Sequence, residues 1–322
     1  MSTIKTEVLI VGGGPAGSAC ARRLRQAGVD CLILDRYAFP RFKTCAGWVT
    51  PELIRDLEMD PAEYPHSFTT FHSFKISFRG LNFTLRTKQH AIRRIEFDNW
   101  LLRRSGAPVK QHAVKQIEHN GDGYLVDDTY FGKYLVGAGG THCPVYRTFF
   151  QPAHPSARGT LIVAQEEEFA FPFKDDRCYL WFLENKLPGY AWYVPKANGY
   201  VNIGLGGAAK ALKRNGDTLK NQWNYLIQKL DALGLVQGHA FKPEGHAYYL
   251  RQRSSEARID NAFIVGDAAS LATYDMGEGI HPAIQSGIMA AEAILNGSDY
   301  SLRSIPKYSW PSLLRLTKWR KN

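Results

Sequence analysis

Three glycines, Gly12, Gly14 and Gly17, stand between the apolar run VLIV at 8–11 and a helix-forming stretch, and Asp35 closes the next apolar run. The order is strand, glycine turn, helix, strand, acid. This spacing fits a dinucleotide fold: Gly12 permits the tight turn, Gly14 clears room for a pyrophosphate, and Gly17 lets helix and strand pack closely. Pro15 and Ala16 open the helix, whose N-terminal N–H groups face the phosphates. Asp35, with Arg36 after it, is placed to accept a ribose hydroxyl, and its charge would repel a 2′-phosphate. FAD and NAD both satisfy these terms.

A second constellation separates the two. In AFIVGDAA, Asp267 follows a strand directly, and MGEGIHPA turns through Gly277 and Gly279 into a helix from about Ile280 to Leu295. A carboxylate there would bind ribityl hydroxyls, and the positive helix end would stabilise a reduced, anionic flavin ring. His281, in the same turn, is a candidate for proton delivery, although histidines at helix starts more often only hydrogen-bond the backbone. The reading is FAD.

The elements that position these groups follow from hydrophobic pattern. Three apolar runs, beginning at Val8, Tyr134 and Phe263, each end in a glycine turn, the second of them containing Gly139. Such runs suit strands buried on both faces of one parallel sheet, with ligand beyond their carboxyl ends. Between them lie antiparallel signals at 69–87 and 159–207. There Tyr190, Trp192 and Val194 fall at period two, Asn198-Gly199 offers a tight turn, and YVNIGLG returns as a partner strand. The expected fold class is α/β: an FAD-binding, doubly wound parallel sheet with an inserted antiparallel β-sheet substrate domain. The expected boundaries are 1–68, 88–150 and 246–297 for the FAD-binding domain, 69–87 and 151–245 for the substrate domain, and 298–322 for a basic tail.

Composition narrows the classes further. The 322 residues are 44% hydrophobic and 22% charged, an ordinary globular balance. No apolar run approaches the roughly 18 residues of a membrane span, and VLIV leads into GGGPAG rather than a cleavage site. A cytoplasmic protein is expected. The five cysteines are scattered without a CxxC pair, which argues against zinc or a disulfide framework, so no metal is expected. Of the net charge of +10, Arg303, Lys307, Arg315, Lys318, Arg320 and Lys321 contribute six, with no acid after Asp299. Interleaved with Tyr308, Trp310, Leu313, Leu314, Leu316 and Trp319, they suit peripheral contact with an anionic membrane, with Pro311 opening a short helix. The body carries no nucleic-acid motif, so a flavin-containing RNA-binding or regulatory protein ranks last.

Over most of 7–297, in order, the chain resembles the geranylgeranyl reductase family, flavoproteins shaped like para-hydroxybenzoate hydroxylase. The likeness rests on FPRFKTCAGWVTPEL at 39–53, RRIEFDNWLL at 93–102 and PGYAWYVPKANGYVNIGLGG at 188–207, besides GGGPAG and GDAA. It implies that Arg41, Lys43 and Cys45, with Ala46, lie beside the flavin and that Arg94 contacts FAD. Family members reduce isolated double bonds of prenyl chains, a hydride leaving flavin N5 for one carbon and a proton reaching the other. Cys45 is then the candidate proton donor, although Lys43 and Arg41 would favour its thiolate; the alternative is a small residue packed under the flavin. Tyr190, Trp192 and Tyr193 would form an apolar substrate wall, or serve as ordinary sheet packing.

Two departures bear on the chemistry. Gly139 stands where relatives of the hydroxylase group often carry an acid, which counts against direct NADPH use and leaves the electron donor as NAD(P)H or a reduced redox protein. The short segment after the second helix implies that the C-terminal domain of longer relatives is absent. The rival reading is an FAD-dependent monooxygenase or halogenase, because YAWYVP is similar to the halogenase WxWxIP with Tyr190 for the first tryptophan.

Overall fold

The structure, a computed structural model, describes residues 3–155, 158–252 and 256–314. The chain forms two compact units: Met1–Arg41, Phe97–Ala157 and Tyr249–Ser309 in the first, Phe42–Glu96, Arg158–Tyr248 and Trp310–Asn322 in the second.

The first unit is built on a mostly parallel sheet. Its strands run in the order Arg258–Ile259, Ala262–Ile264, Tyr130–Gly137, Ile4–Val11, Cys31–Asp35 and Val109–Gln111, with Tyr124–Val126 and Ile117–His119 added antiparallel. Val8 to Val11, Leu32 to Leu34 and Phe263 to Val265 are buried, as runs covered on both faces require. The register sets Val11 opposite both Leu34 and Gly137, and Gly137 opposite Ile264. All three apolar runs therefore end at one edge of one sheet, and the glycine turns share that edge. Helix Pro15–Gln26 begins with proline in its first turn, and helix Ile280–Asn296 ends at Gly297 with φ 62°. They pack closely enough that a Cβ on Gly287 would lie 2.1 Å from the Ala16 carbonyl oxygen.

The second unit is an eight-stranded sheet ordered Glu244–Tyr249, Leu161–Ala170, Tyr200–Ala208, Gly189–Lys196, Cys178–Phe182, Phe68–Phe78, Leu81–Ile92 and Trp48–Val49. The expected hairpin is present: Gly189–Lys196 pairs antiparallel with Tyr200–Ala208, and Asn198 and Gly199 take φ 61° and 70° in the turn. One pair, Phe68–Phe78 with Cys178–Phe182, is parallel. Helix Leu219–Ala232, capped by the Thr218 hydroxyl on the Asn221 N–H at 3.2 Å, covers one face. Its Trp223, Leu226 and Leu230 pack with Trp181, Tyr193, Ile203 and Leu205.

The unit boundaries differ from those expected. Residues 42–68 and 88–96 join the second unit, because Trp48–Val49 pairs with His90 and Ala91 and because Phe68–Phe78 and Leu81–Ile92 pair along nearly their full length. The tail from 298 is folded into the first unit as far as Ser309, where Arg251 donates to the Leu302 carbonyl at 2.5 Å and Ile305 is buried. Trp310–Leu313 forms a single helical turn; Arg315, Leu316, Lys318, Trp319, Arg320 and Lys321 lie outside the described residues. No helix among the described residues is long and apolar enough to cross a membrane.

Leu230 is wholly buried under the second sheet. Leu230→Ala should destabilise this unit by about 2–5 kcal/mol, read as a lower urea midpoint in its unfolding transition.

Candidate functional site

In the first unit the glycine turn is dictated by backbone crowding. Gly12 has φ 113°, and a Cβ there would sit 2.3 Å from the Ala138 carbonyl oxygen; a Cβ on Gly17 would sit 2.0 Å from the Gly12 oxygen. The Ala138 N–H donates to the Val11 carbonyl at 2.8 Å, which fixes the loop carrying Gly139 against this turn. Gly14 caps helix Pro15–Gln26 without any side-chain cap, and the first turn holds no acid, so the N–H groups of that end remain available to an anion.

Asp35 is buried at its strand end, and both oxygens already accept backbone donors: Oδ2 from Gly13 at 2.7 Å, Oδ1 from Tyr37 at 2.9 Å. It thus holds the turn in shape, a role the spacing did not reveal; each oxygen keeps a second lone pair for a ribose hydroxyl. Arg36 is exposed, its guanidinium 5.1 Å from the Tyr37 ring centroid.

The second constellation meets the first at the same sheet edge. Gly266, at φ 60°, lies so close to the first helix that a Cβ would be 3.3 Å from the Ala16 Cβ. Its N–H donates to Ser286 Oγ at 2.9 Å. Asp267 is half-buried with Oδ1 3.4 Å from where a Gly279 Cβ would stand, and Gly277 takes φ 61°. Helix Ile280–Asn296 starts at Gly279 with Ile280 and His281 buried, and Glu278 Oε1 accepts the His281 N–H at 2.8 Å. Glu278, not foreseen from the sequence, therefore caps the turn and adds a negative charge at the helix's positive end.

Arg41 completes the arrangement. Its Nη1 lies 3.6 Å from Oδ2 of the wholly buried Asp98, and its Nη2 is 3.5 Å from where a Gly14 Cβ would be. Its Nε is buried without a hydrogen-bond partner among the described residues. An orphaned guanidinium donor beside an uncapped helix start, over a turn that excludes side chains, fits the diphosphate of FAD. Asp98 lies in the RRIEFDNWLL segment, where an acid four residues after Arg94 was the signal that the sequence offered.

The second unit carries Cys45 on a polar floor. The Cys45 N–H donates to Glu166 Oε1, Asn202 Nδ2 reaches the Cys45 carbonyl at 3.5 Å, and the Gly47 N–H reaches Cys45 Sγ at 3.4 Å. Beneath lie buried charges: Lys196, 1% exposed, bonds Glu168 at 2.5 Å, and Glu168 accepts from Arg93 at 2.9 Å. Burial pushes the Glu166 carboxyl up to about 7, against the lowering effects of Lys196, the Cys45 N–H and Asn202. Lys43 Nζ is 2.7 Å from His246 Nε2, a pairing that makes that ring nitrogen an acceptor. Ala46 is half-buried in the same loop, and Arg94 is buried at the start of helix Arg94–Arg104. Lys196 and Asn202 sat inside the most family-like segment; Glu166 gave no signal, since EEE at 166–168 looks like a solvated face.

The aromatic wall needs one correction. Trp192 and Tyr190 share one sheet face, where the register aligns Phe83, Ile76, Leu180, Trp192, Gly204 and Glu166 in one row. Tyr193 points the other way, wholly buried against helix Leu219–Ala232, its hydroxyl on the Asp175 carbonyl at 3.0 Å. Strand alternation forbids adjacent residues from lining one face, so Tyr193 is core. Trp192 Nε1 donates to Asn202 Oδ1 at 2.7 Å, and its indole occupies the space over Gly204, where a Cβ would be 2.3 Å from the ring.

Comparisons with known proteins agree with this fold. Residues 5–59 match the FAD binding domain family. An uncharacterized protein of Methanosarcina barkeri is 31% identical over 91% of this chain and 76% of its own length, and a menaquinone reductase of Mycolicibacterium smegmatis is 28% identical over 97% and 80%. Among solved structures, a geranylgeranyl bacteriochlorophyll reductase-like protein of Thermoplasma acidophilum superposes with a TM-score of 0.77 at 21% identity, covering 98% of this chain and 82% of that one. Fold and site together define an FAD-dependent oxidoreductase. Within that class the chain belongs to the geranylgeranyl reductase family.

Arg41→Ala should weaken FAD binding about tenfold to a hundredfold, the loss of a charge-assisted hydrogen bond, measured by quenching of flavin fluorescence. Glu166 has a raised folded pKa, so its contribution to stability is complete below the unfolded carboxyl's range and is lost as pH climbs through about 7. Glu166→Gln should remove that slope, its stability advantage over the wild type growing from acid to neutral pH in urea titrations.

Proposed function

We propose that this oxidoreductase reduces isolated C=C bonds of an isoprenoid substrate. The observation that carries the reading is the apolar sheet face of the second unit. Rows Phe83–Ile76–Leu180–Trp192 and Leu81–Phe78–Phe182–Tyr190 offer a hydrocarbon a continuous surface, and the indole N–H, the polar atom of these eight side chains besides the Tyr190 hydroxyl, is already satisfied by Asn202. The relatives named as reductases of menaquinone and of geranylgeranyl bacteriochlorophyll type support the same substrate class.

Bound FAD supplies hydride chemistry. An unactivated alkene has no carbonyl to absorb developing charge, so the protein must exclude water and hold a proton where it is needed. In the first unit Arg41 and the start of helix Pro15–Gln26 would bind and orient the diphosphate, and Asp267 the ribityl hydroxyls. In the second unit Glu166 and Asn202 pin the Cys45 backbone from both sides, so the thiol is presented in one geometry four residues along the chain from Arg41. Cys45 is the proposed proton donor. His281 is retained only as the buried start of its helix, anchored by Glu278.

The test is anaerobic. Enzyme loaded with FAD and reduced chemically should regain its oxidised absorbance on addition of a prenylated quinone or prenyl glycerolipid, with product gaining two hydrogens per bond. Product that forms only with coupled oxygen uptake would assign the scaffold to oxygenation and overturn the reading. Cys45→Ala should lower the reoxidation rate by about a hundredfold, within the usual range for a lost general acid, while leaving FAD affinity unchanged. Trp192→Ala should raise KM by about tenfold or more, as loss of a large apolar contact does.

A further inference from the structure

The hairpin made by Phe68–Phe78 and Leu81–Ile92 has one apolar and one polar face. The register pairs Phe74 with Leu85, Ile76 with Phe83 and Phe78 with Leu81 on one side, and Ser73 with Arg86, Lys75 with Thr84 and Ser77 with Asn82 on the other. Burial runs out along the apolar face: Phe74 is 2% exposed, whereas Phe78 is 45%, Phe83 51% and Leu81 73%. Three large apolar side chains thus project together around the turn at Arg79 and Gly80. Scattered exposed apolar residues are ordinary; a contiguous set at the tip of an extended hairpin marks a contact surface.

Charge identifies the contact. Between Glu63 and Glu96 the chain carries Lys75, Arg79, Arg86, Lys88, Arg93 and Arg94 and no acid. Arg93 is committed to Glu96 and Glu168, but Arg79, Arg86 and Lys88 are exposed along the hairpin. The Arg79 guanidinium rests 5.8 Å from the Phe78 ring centroid, at the level of the apolar tip. Beside it opens a groove of about 450 Å³ into which Ser77, Arg79, Asn82, Tyr225 and Lys229 face, its one acid, Glu184, held by Lys229 at 2.7 Å.

We propose that this hairpin docks the protein on the surface of an anionic lipid bilayer. Phe78, Leu81 and Phe83 enter the boundary between headgroups and acyl chains, while Arg79, Arg86 and Lys88 extend their stems to reach lipid phosphates. Insertion stops at that depth, because Leu81–Arg86 has a strand partner on one side alone among the described residues, Trp48–Val49 pairing with His90 and Ala91, and the backbone groups of that outer edge require water or headgroups. The same edge is a poor seat for a second copy: antiparallel pairing would bring Arg86 and Lys88 of both chains together. The surface does not draw on the C-terminal cations; its apolar residues are the outer end of the same sheet face that carries the proposed substrate rows.

Sedimentation with vesicles tests this. The full chain should pellet with mixed phosphatidylglycerol–phosphatidylcholine vesicles and at least tenfold less with phosphatidylcholine alone, and raising salt from ~0.1 M to ~1 M should erase the difference. Phe78→Ser, Leu81→Ser and Phe83→Ser combined should cut binding at least tenfold without lowering the melting temperature, since all three side chains are exposed. Arg79→Gln, Arg86→Gln and Lys88→Gln combined should abolish the preference for anionic lipid. A chain ending at Leu314 should bind as the full chain does. Undiminished binding by the triple serine variant would overturn the proposal, as would binding lost only on truncation at Leu314. So would a dimer that the serine variant splits while its vesicle binding stays unchanged.

Discussion

A Cβ at position 12 or 17 would fall inside the van der Waals envelope of a backbone oxygen, 2.3 Å from Ala138 in one case and 2.0 Å from Gly12 in the other. This contact governs the first unit. It brings the ends of strands Ile4–Val11 and Tyr130–Gly137 and the start of helix Pro15–Gln26 into one compact corner, and Gly266 and Gly287 extend the same closeness to the second helix. The result is two helix starts on one sheet edge, the first uncapped and the second capped by Glu278, with Asp35 accepting backbone donors that shape the turn and Arg41 keeping a buried donor without a partner among the described residues. A binding site for a dianion is what remains when every side chain that would fill it has been excluded.

The second unit solves a different problem. It places a thiol-bearing loop over an interior that holds Glu166, Glu168, Lys196 and Arg93, and satisfies them mutually rather than with solvent. Buried ion pairs seldom add net stability over apolar packing, so such a network is better understood as fixing geometry. The Cys45 peptide is gripped at its N–H and at its carbonyl, and Gly47, at φ 70°, passes where a Cβ would meet the Ile92 oxygen and Lys196 Nζ. The neighbouring sheet face is apolar because strand alternation sends Trp192 and Tyr190 one way and Tyr193 the other.

What could be read from the residues follows the reach of local rules. Apolar runs ending in glycine disclosed the parallel sheet, and Asn198-Gly199 between alternating strands disclosed the hairpin, because each signal is contained within about ten residues. The role of Asp35 toward Gly13 and the capping by Glu278 were missed: each depends on a backbone donor, which sequence does not display. Glu166 was illegible since its function comes from a partner 121 positions away. The boundaries slipped at 42–68 and 88–96 for the same reason, the deciding strand pairs being invisible until Trp48–Val49 is seen beside Ala91. Tyr193 was misplaced although the period-two rule that excludes it was already in hand.

The interleaving of the units has a consequence for biosynthesis. Strand Ala262–Ile264 and helix Ile280–Asn296 belong to the first sheet yet leave the ribosome after every strand of the second. The nascent chain must hold Ile4–Val11 and Cys31–Asp35 in waiting, an incomplete sheet with an open edge, until residues 262–264 have followed. The corner where the two helix starts meet is therefore assembled late: a product terminated before Gly279 lacks the second of them.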